Sequence, residues 1–244
     1  MARYFLEVAY KGTAYAGFQI QQNANTIQAE VEKALHTYFR TSLALTGSSR
    51  TDAGVHAFQN FFHVDTALDI HSKSIYHLNA ILPEDIVIRN IFLVKDDAHC
   101  RFDATSRTYL YSLYQSKNPF VLSTAYFFPY PLDITLMQQA AQFLLNTQNF
   151  ESFAKKNTQV YTHICKLMQS SWFQSGDCIK YKVTGNRFLR GMVRGLVGTM
   201  LQVGTQKISL QQFKQIAESK NPAQTDFSTP AKGLTLLEVK YSFL

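Results

Sequence analysis

The chain is poor in the features that mark several large functional classes. Of its 244 residues only three are cysteine: Cys100, Cys165 and Cys178. They form an odd, scattered set without a Cys-x-x-Cys pair, which excludes a disulfide framework and predicts reduced thiols in a cytoplasm. No apolar run approaches the roughly 18–20 residues of a membrane-spanning helix, so no membrane partner is expected. The seven histidines are dispersed. No His-Glu-x-x-His helix and no Cys/His cluster is evident, so no metal is expected. No Gly-rich loop after a strand carries a nucleotide-binding fingerprint, so no nucleotide cofactor is expected. The opening Met1 to Glu7 alternates like a strand rather than reading as a leader, which again predicts a cytoplasmic location. There is no low-complexity segment.

One shortage is local. Between Cys178 and Ala217 there is no Asp or Glu, while Lys180, Lys182, Arg187, Arg190, Arg194, Lys207 and Lys214 all fall there. Those seven cations equal the net charge of +7 for the whole chain. A one-sign field of this kind attracts a polyanion and steers its approach. A solvated helix face is the plainer alternative; a nucleic-acid surface is the reading favoured here.

Hydrophobic patterning predicts two rounds of the same element order. In the first, Arg3–Tyr10 reads as a strand, Thr26–Phe39 as a helix capped by Asn25 or Thr26, and Leu43–Thr46 and Gln59–Asp65 as strands. Ser74–Ile81 then reads as a helix stopped by Pro83, and Ile86–Val94 as a strand. In the second round, Arg107–Gln115 is a strand and Ile134–Leu145 a helix. Thr162–Phe173 and Cys178–Thr184 are strands, Phe188–Val203 and Ser209–Glu218 helices, and Thr235–Ser242 a closing strand. Two copies of β-α-β-β-α-β predict an α+β protein of two ferredoxin-like halves with antiparallel sheets. The expected domains are residues 1–100 and 101–244.

The densest chemistry lies in Gly47-Ser48-Ser49-Arg50-Thr51-Asp52-Ala53-Gly54-Val55-His56. Strand-like segments flank it, so Asp52 is expected on a loop fixed at both ends. The bounding glycines allow a sharp turn or a close approach. A carboxylate beside a guanidinium stays ionised and can act as nucleophile or base. An Asx turn beside a solvated Arg fits the same spacing.

This loop resembles the Arg-Thr-Asp-Ala-Gly-Val-His signature of the tRNA pseudouridine synthase A family. Four further segments are similar to that family: Lys11-Gly12-Thr13-Ala14-Tyr15-Ala16-Gly17-Phe18-Gln19, His77 to Ile86, Ala104 to Tyr111, and Asn186 to Arg194. Pro230-Ala231-Lys232-Gly233-Leu234 fits as well. The resemblance runs in order over almost all of the chain. Ser49 departs from it, because the family usually carries Gly before the Arg; the departure touches only the loop's backbone geometry. The resemblance implies two halves joined around a basic active-site cleft. It also implies isomerisation of uridine to pseudouridine at positions 38, 39 and 40 of the tRNA anticodon stem-loop, and a homodimer. By the same resemblance Asp52 is the nucleophile, Tyr109 meets the target base and Arg194 is the basic partner of the aspartate.

Physical chemistry is compatible with those roles. An Arg beside a partly buried carboxylate offsets the cost of its charge and grips it with two hydrogen bonds. A tyrosine ring can stack on an extruded uracil, and enzymes acting on a base take it out of the helix. Arg187, Arg190 and Arg194 are spaced three and four apart, which predicts one shared helix face along the RNA backbone. Arg107 is a further candidate substrate contact. Arg50 either fills the gap left by the flipped base or holds the loop. The isomerisation neither oxidises nor transfers a group, so no cofactor is expected. A pseudouridine synthase for another RNA site, an RRM-like binding module without catalysis and an aspartate-nucleophile hydrolase are the alternatives. The absence of an RRM aromatic signature and of an Asp-x-Asp after a strand weakens the last two.

Overall fold

The structure is a computed structural model that describes residues 1–156 and 160–244. It is mixed α+β, with nine strands, mostly antiparallel, and five α-helices among the described residues. The chain divides into two compact units, Met1–Thr105 with Thr235–Leu244, and Ser106–Leu234.

The first unit holds β1 (Ala2–Tyr10), α1 (Ile27–Phe39), β2 (Thr46–Gly47), β3 (His56–Thr66), α2 (Ser74–Ile81) and β4 (Ile86–Val94). β1 lies between β3 and β4, and β2 flanks β3, all antiparallel. The residues of β1 from Tyr4 to Tyr10 are buried on both faces, as a central strand covered twice should be. On the even-numbered face Phe18 stacks on Phe62, with ring centroids 4.4 Å apart. On the other, Phe5 meets His63 and Tyr241. α1 begins where the Thr26 side chain accepts the Ala29 N–H, and it buries Ile27, Val31, Ala34 and Leu35 on one stripe. α2 and β4 match the sequence expectation residue for residue, because Pro83 separates them.

The second unit holds β5 (Ala104–Tyr114, in which the division falls), β6 (Tyr126–Phe127), α3 (Ile134–Phe143), β7 (Leu167–Ser175), β8 (Cys178–Gly185), α4 (Met192–Gly204) and α5 (Leu210–Glu218). β8 lies between β5 and β7, antiparallel to both. Tyr111 faces Tyr181 across the ladder, and Trp172 packs on Tyr181 at 5.0 Å while donating to the Met200 sulfur. α4 is buried almost all round, which makes it the core helix of this unit. Asp133 caps α3, and Ser209 with Gln212 forms a capping box for α5. The closing strand β9 (Leu234–Tyr241) groups with the first unit, where it pairs parallel to β3 at His56↔Thr235 and Ala57↔Leu236.

Three expected elements are corrected. The strand at 43–46 shrinks to Thr46–Gly47, because Leu43 and Leu45 are buried outside any ladder. The strand at 162–173 begins only at Leu167. The helix expected from Phe188 begins at Met192, because Gly191 takes φ +73° and breaks the run.

Candidate active site

Asp52 is half-buried on a tight turn closed by the Val55 N–H donating to the Asp52 carbonyl at 3.2 Å. Gly54 sits in that turn at φ +78°, a conformation that needs glycine. The backbone before Asp52 is held at several points. The Thr51 carbonyl accepts from the Phe18 N–H at 3.1 Å, and the Thr51 and Tyr10 hydroxyls meet at 2.7 Å. Gly54 N–H reaches the Tyr15 carbonyl, and the Gly12 N–H donates to His56 Nδ1. The segment Lys11–Gln19 is thus a cradle for the aspartate loop. Asn60, buried on β3, bonds both backbone groups of Ser49. Ser49 is buried and has no positive φ, so a side chain there carries no backbone strain. Among the described residues of its own unit, no group hydrogen-bonds or ion-pairs with the Asp52 carboxylate. The loop therefore fixes the backbone of the acid without using its carboxylate oxygens. Arg50, two residues earlier, is exposed.

Arg194 is half-buried in the first turn of α4. Its Nε donates to the Thr229 carbonyl at 2.7 Å, and the Thr229 hydroxyl donates to the Arg194 carbonyl at 2.9 Å. This reciprocal pair aims the guanidinium while committing only one of its nitrogens to Thr229. A cation in the first turn adds to the positive end of the helix dipole, so the position favours an anion. The segment carrying Thr229 lies close along α4: a Cβ on Gly198 would sit 2.2 Å from the Asp226 carbonyl oxygen. Gly195 and Gly198 of α4 serve that packing.

Arg187 and Arg190 do not share a helix face with Arg194. They lie in the loop between β8 and α4, Arg187 half-buried and Arg190 exposed. The Arg190 carbonyl accepts from the Lys155 N–H at 3.0 Å, and the Lys155 ammonium stands 6.0 Å from the Phe227 ring centre. Sequence reasoning missed Lys155, because only the fold brings residue 155 to the start of α4. Tyr109, half-buried on β5, meets Phe188 edge to face at 5.0 Å. It shares its side of the ladder with Tyr111 and Leu113, opposite Val183. Arg107 donates to the Asn186 carbonyl at 3.3 Å. Lys180 and Lys182 alternate with the buried Tyr181 and Val183, and so project from the other face of the sheet.

All three cysteines are buried and none is in a disulfide. Burial pushes the Cys165 thiol up to about 11. Among the described residues one trio could hold a metal ion: His63 with the adjacent pair His99 and Cys100, their ligand atoms within 4.8 Å of one another. Residue spacing carries no sign of it, because His63 is on β3 and the other two follow β4. Its donor atoms are engaged in hydrogen bonds: His63 Nδ1 accepts the Cys100 N–H at 3.3 Å, and the Cys100 thiol donates to the Thr46 carbonyl at 3.1 Å. His63 is held down to about 4, first by burial and then by the nearby Arg3 charge.

No helix among the described residues is long and apolar enough to cross a membrane. The family model described as tRNA pseudouridine synthase matches residues 7–103 and 140–242. The chain is similar to tRNA pseudouridine synthase A of Bacteroides fragilis, 42% identical over 243 residues that cover 98% of this chain and 96% of that one. It is 41% identical to the protein of that name from Porphyromonas gingivalis, over 99% of this chain and 98% of that one. The Staphylococcus aureus protein is 40% identical, over 97% and 91% respectively. Coverage of both ends of the chain at this identity is decisive: the chain belongs to the tRNA pseudouridine synthase family.

Proposed function

We propose that the protein isomerises uridine to pseudouridine at positions 38, 39 and 40 of the tRNA anticodon stem-loop, with Asp52 as nucleophile. Family membership makes it an isomerase acting on tRNA. One observation carries the finer reading: the Asp52 backbone is tied down at Ser49, Thr51 and Gly54, yet no group of its unit occupies the carboxylate. A general structural aspartate would spend its oxygens on the loop. A carboxylate on a fixed backbone with no partner in its own unit suits attack on the uridine, at C6 of the ring or C1′ of the ribose.

The remaining roles follow from the chemistry. The glycosidic bond breaks, the uracil turns, C1′ joins C5 and the C5 proton leaves. No electrons are gained or lost, so no cofactor is required in principle. Arg194, held by Thr229 at the head of α4, pairs with the aspartate or with the developing negative charge. Tyr109 stacks on the flipped base. Arg50, Arg107, Arg187 and Arg190 bind the tRNA. The first unit's antiparallel order β4-β1-β3-β2 supports the reading of ferredoxin-like halves; the homodimer is what the family resemblance implies, and the cytoplasmic location rests on the scattered cysteines.

The test is to incubate purified protein with unmodified tRNA transcripts, without cofactor, and map pseudouridine at nucleotide resolution. Product confined to positions 38–40 is expected. Product elsewhere in the tRNA keeps the reaction and overturns the site.

A further inference from the structure

Beside the Asp52 loop, within the first unit, lies a cavity of about 310 Å³ lined by Phe18, Gln28, Thr46, Arg50, His99 and Phe102, with Gln19 and Arg101 at its rim. Its size is that of the smaller ligand pockets. Its chemistry is uniform in sign: two guanidiniums, three aromatic rings, two amides and no carboxylate. Phe102 is 73% exposed, so most of its ring is open to a ligand. Its ring lies 4.3 Å from that of His99, and the Arg101 guanidinium stands 5.5 Å from its centre.

This wall is built. His99 Nδ1 accepts the Arg101 N–H at 3.1 Å and the Phe102 N–H at 3.4 Å, which fixes the ring and the two residues after it. Gln28 is spent inside the wall: its Oε1 accepts from Ile20, and its Nε2 donates to the Leu45 carbonyl and Glu32. Exposed ring and guanidinium faces beside cations are how proteins hold unpaired bases and their phosphates.

We propose that this cavity binds one unpaired nucleotide of the tRNA flanking the target uridine, its base against the Phe102 and Arg101 faces and its phosphate at Arg50. The cavity would anchor the strand next to the flipped base and so set which uridine faces Asp52. The proposal rests on the reading of tRNA as substrate, but not on which uridine is modified. Gln19, exposed at the rim, is placed to touch the base edge.

The experiment is a cycle between Phe102→Ala and abasic sites scanned through the nucleotides flanking whichever uridine the parent converts. Affinity and single-turnover rate are both read. Phe102→Ala is expected to weaken tRNA binding by about 5–150-fold, the worth of one base–aromatic stack, with Phe102→Tyr restoring most of it. An abasic site at one flanking position should cost the parent a similar factor and cost Phe102→Ala nothing more. Because Phe102 is exposed, both variants should keep the parent's thermal midpoint. Affinity of Phe102→Ala equal to the parent's, or losses that multiply at every abasic position, would overturn the pocket. A parent that binds no tRNA would instead overturn the functional reading, whatever Phe102 does.

Discussion

Asn60 holds Ser49 by both of its backbone groups: its Oδ1 accepts the Ser49 N–H at 3.2 Å and its Nδ2 donates to the Ser49 carbonyl at 2.8 Å. The amide of a side chain thus takes the place of a strand partner for the residue three before Asp52. Asn60 Nδ2 also reaches the Tyr10 hydroxyl, which in turn meets Thr51, so one buried network spans the loop's approach. Asn60→Leu removes the buried side-chain hydrogen bonds to Ser49 and Tyr10, at about 1–3 kcal/mol of stability. Turnover at saturating tRNA should fall more than tRNA affinity, because the loop aims the acid. Thermal melting and single-turnover kinetics check this; a folded Asn60→Leu protein with the parent's turnover would remove Asn60 from that role.

Arg190 offers a test of the basic loop before α4. It is exposed, while its backbone is tied to Lys155. If the loop lies along the RNA backbone, each cation releases counterions on binding. Arg190→Ala should flatten the log–log salt dependence of binding by about 0.7–0.9 and weaken many tRNAs alike. The position of modification should not change, since phosphates carry no base identity. Affinity across a salt series decides it; parallel slopes with equal affinities would mean a solvated loop.

Much of this architecture was legible from periodicity, and the misses have two causes. α2 and β4 stood out because Pro83 divides two strongly patterned runs. α1 stood out through its four-residue stripe and Thr26 cap. The start of α4 was misread, because Phe188, Leu189, Met192 and Val193 continue a helical stripe while Gly191 turns left-handed. That single φ moves Arg187 and Arg190 off the helix. The Asp52 loop was visible as a motif, but its cradle was not: Asn60, Thr51 and Tyr10 meet across strands, and single-sequence patterns do not encode partners. Lys155 and the wall at His99–Phe102 were missed for the same reason.

His63 gives the fold a pH signature. Its folded pKa lies at about 4, below the ordinary value of 6.5, with burial the main cause, the Arg3 and His99 charges adding to it, and Asp65 opposing. Between those two values the unfolded chain takes up a proton that the folded protein refuses. Stability from this group is therefore full above about pH 6.5 and falls as the pH drops towards 4. Urea midpoints at pH 7.5, 6 and 5 should decline more steeply for the parent than for His63→Gln. Equal slopes would show that His63 titrates normally in the folded protein.

The central claim is that Asp52 is the attacking group, and the Asp52→Asn protein tests it most directly. The change keeps shape and hydrogen-bonding size and removes the negative charge. Pseudouridine formation is measured under single turnover on unmodified tRNA, beside tRNA affinity and the melting midpoint. The account predicts no detectable product from a folded protein that still binds tRNA about as well as the parent. Product formed at more than a few per cent of the parent rate would contradict it.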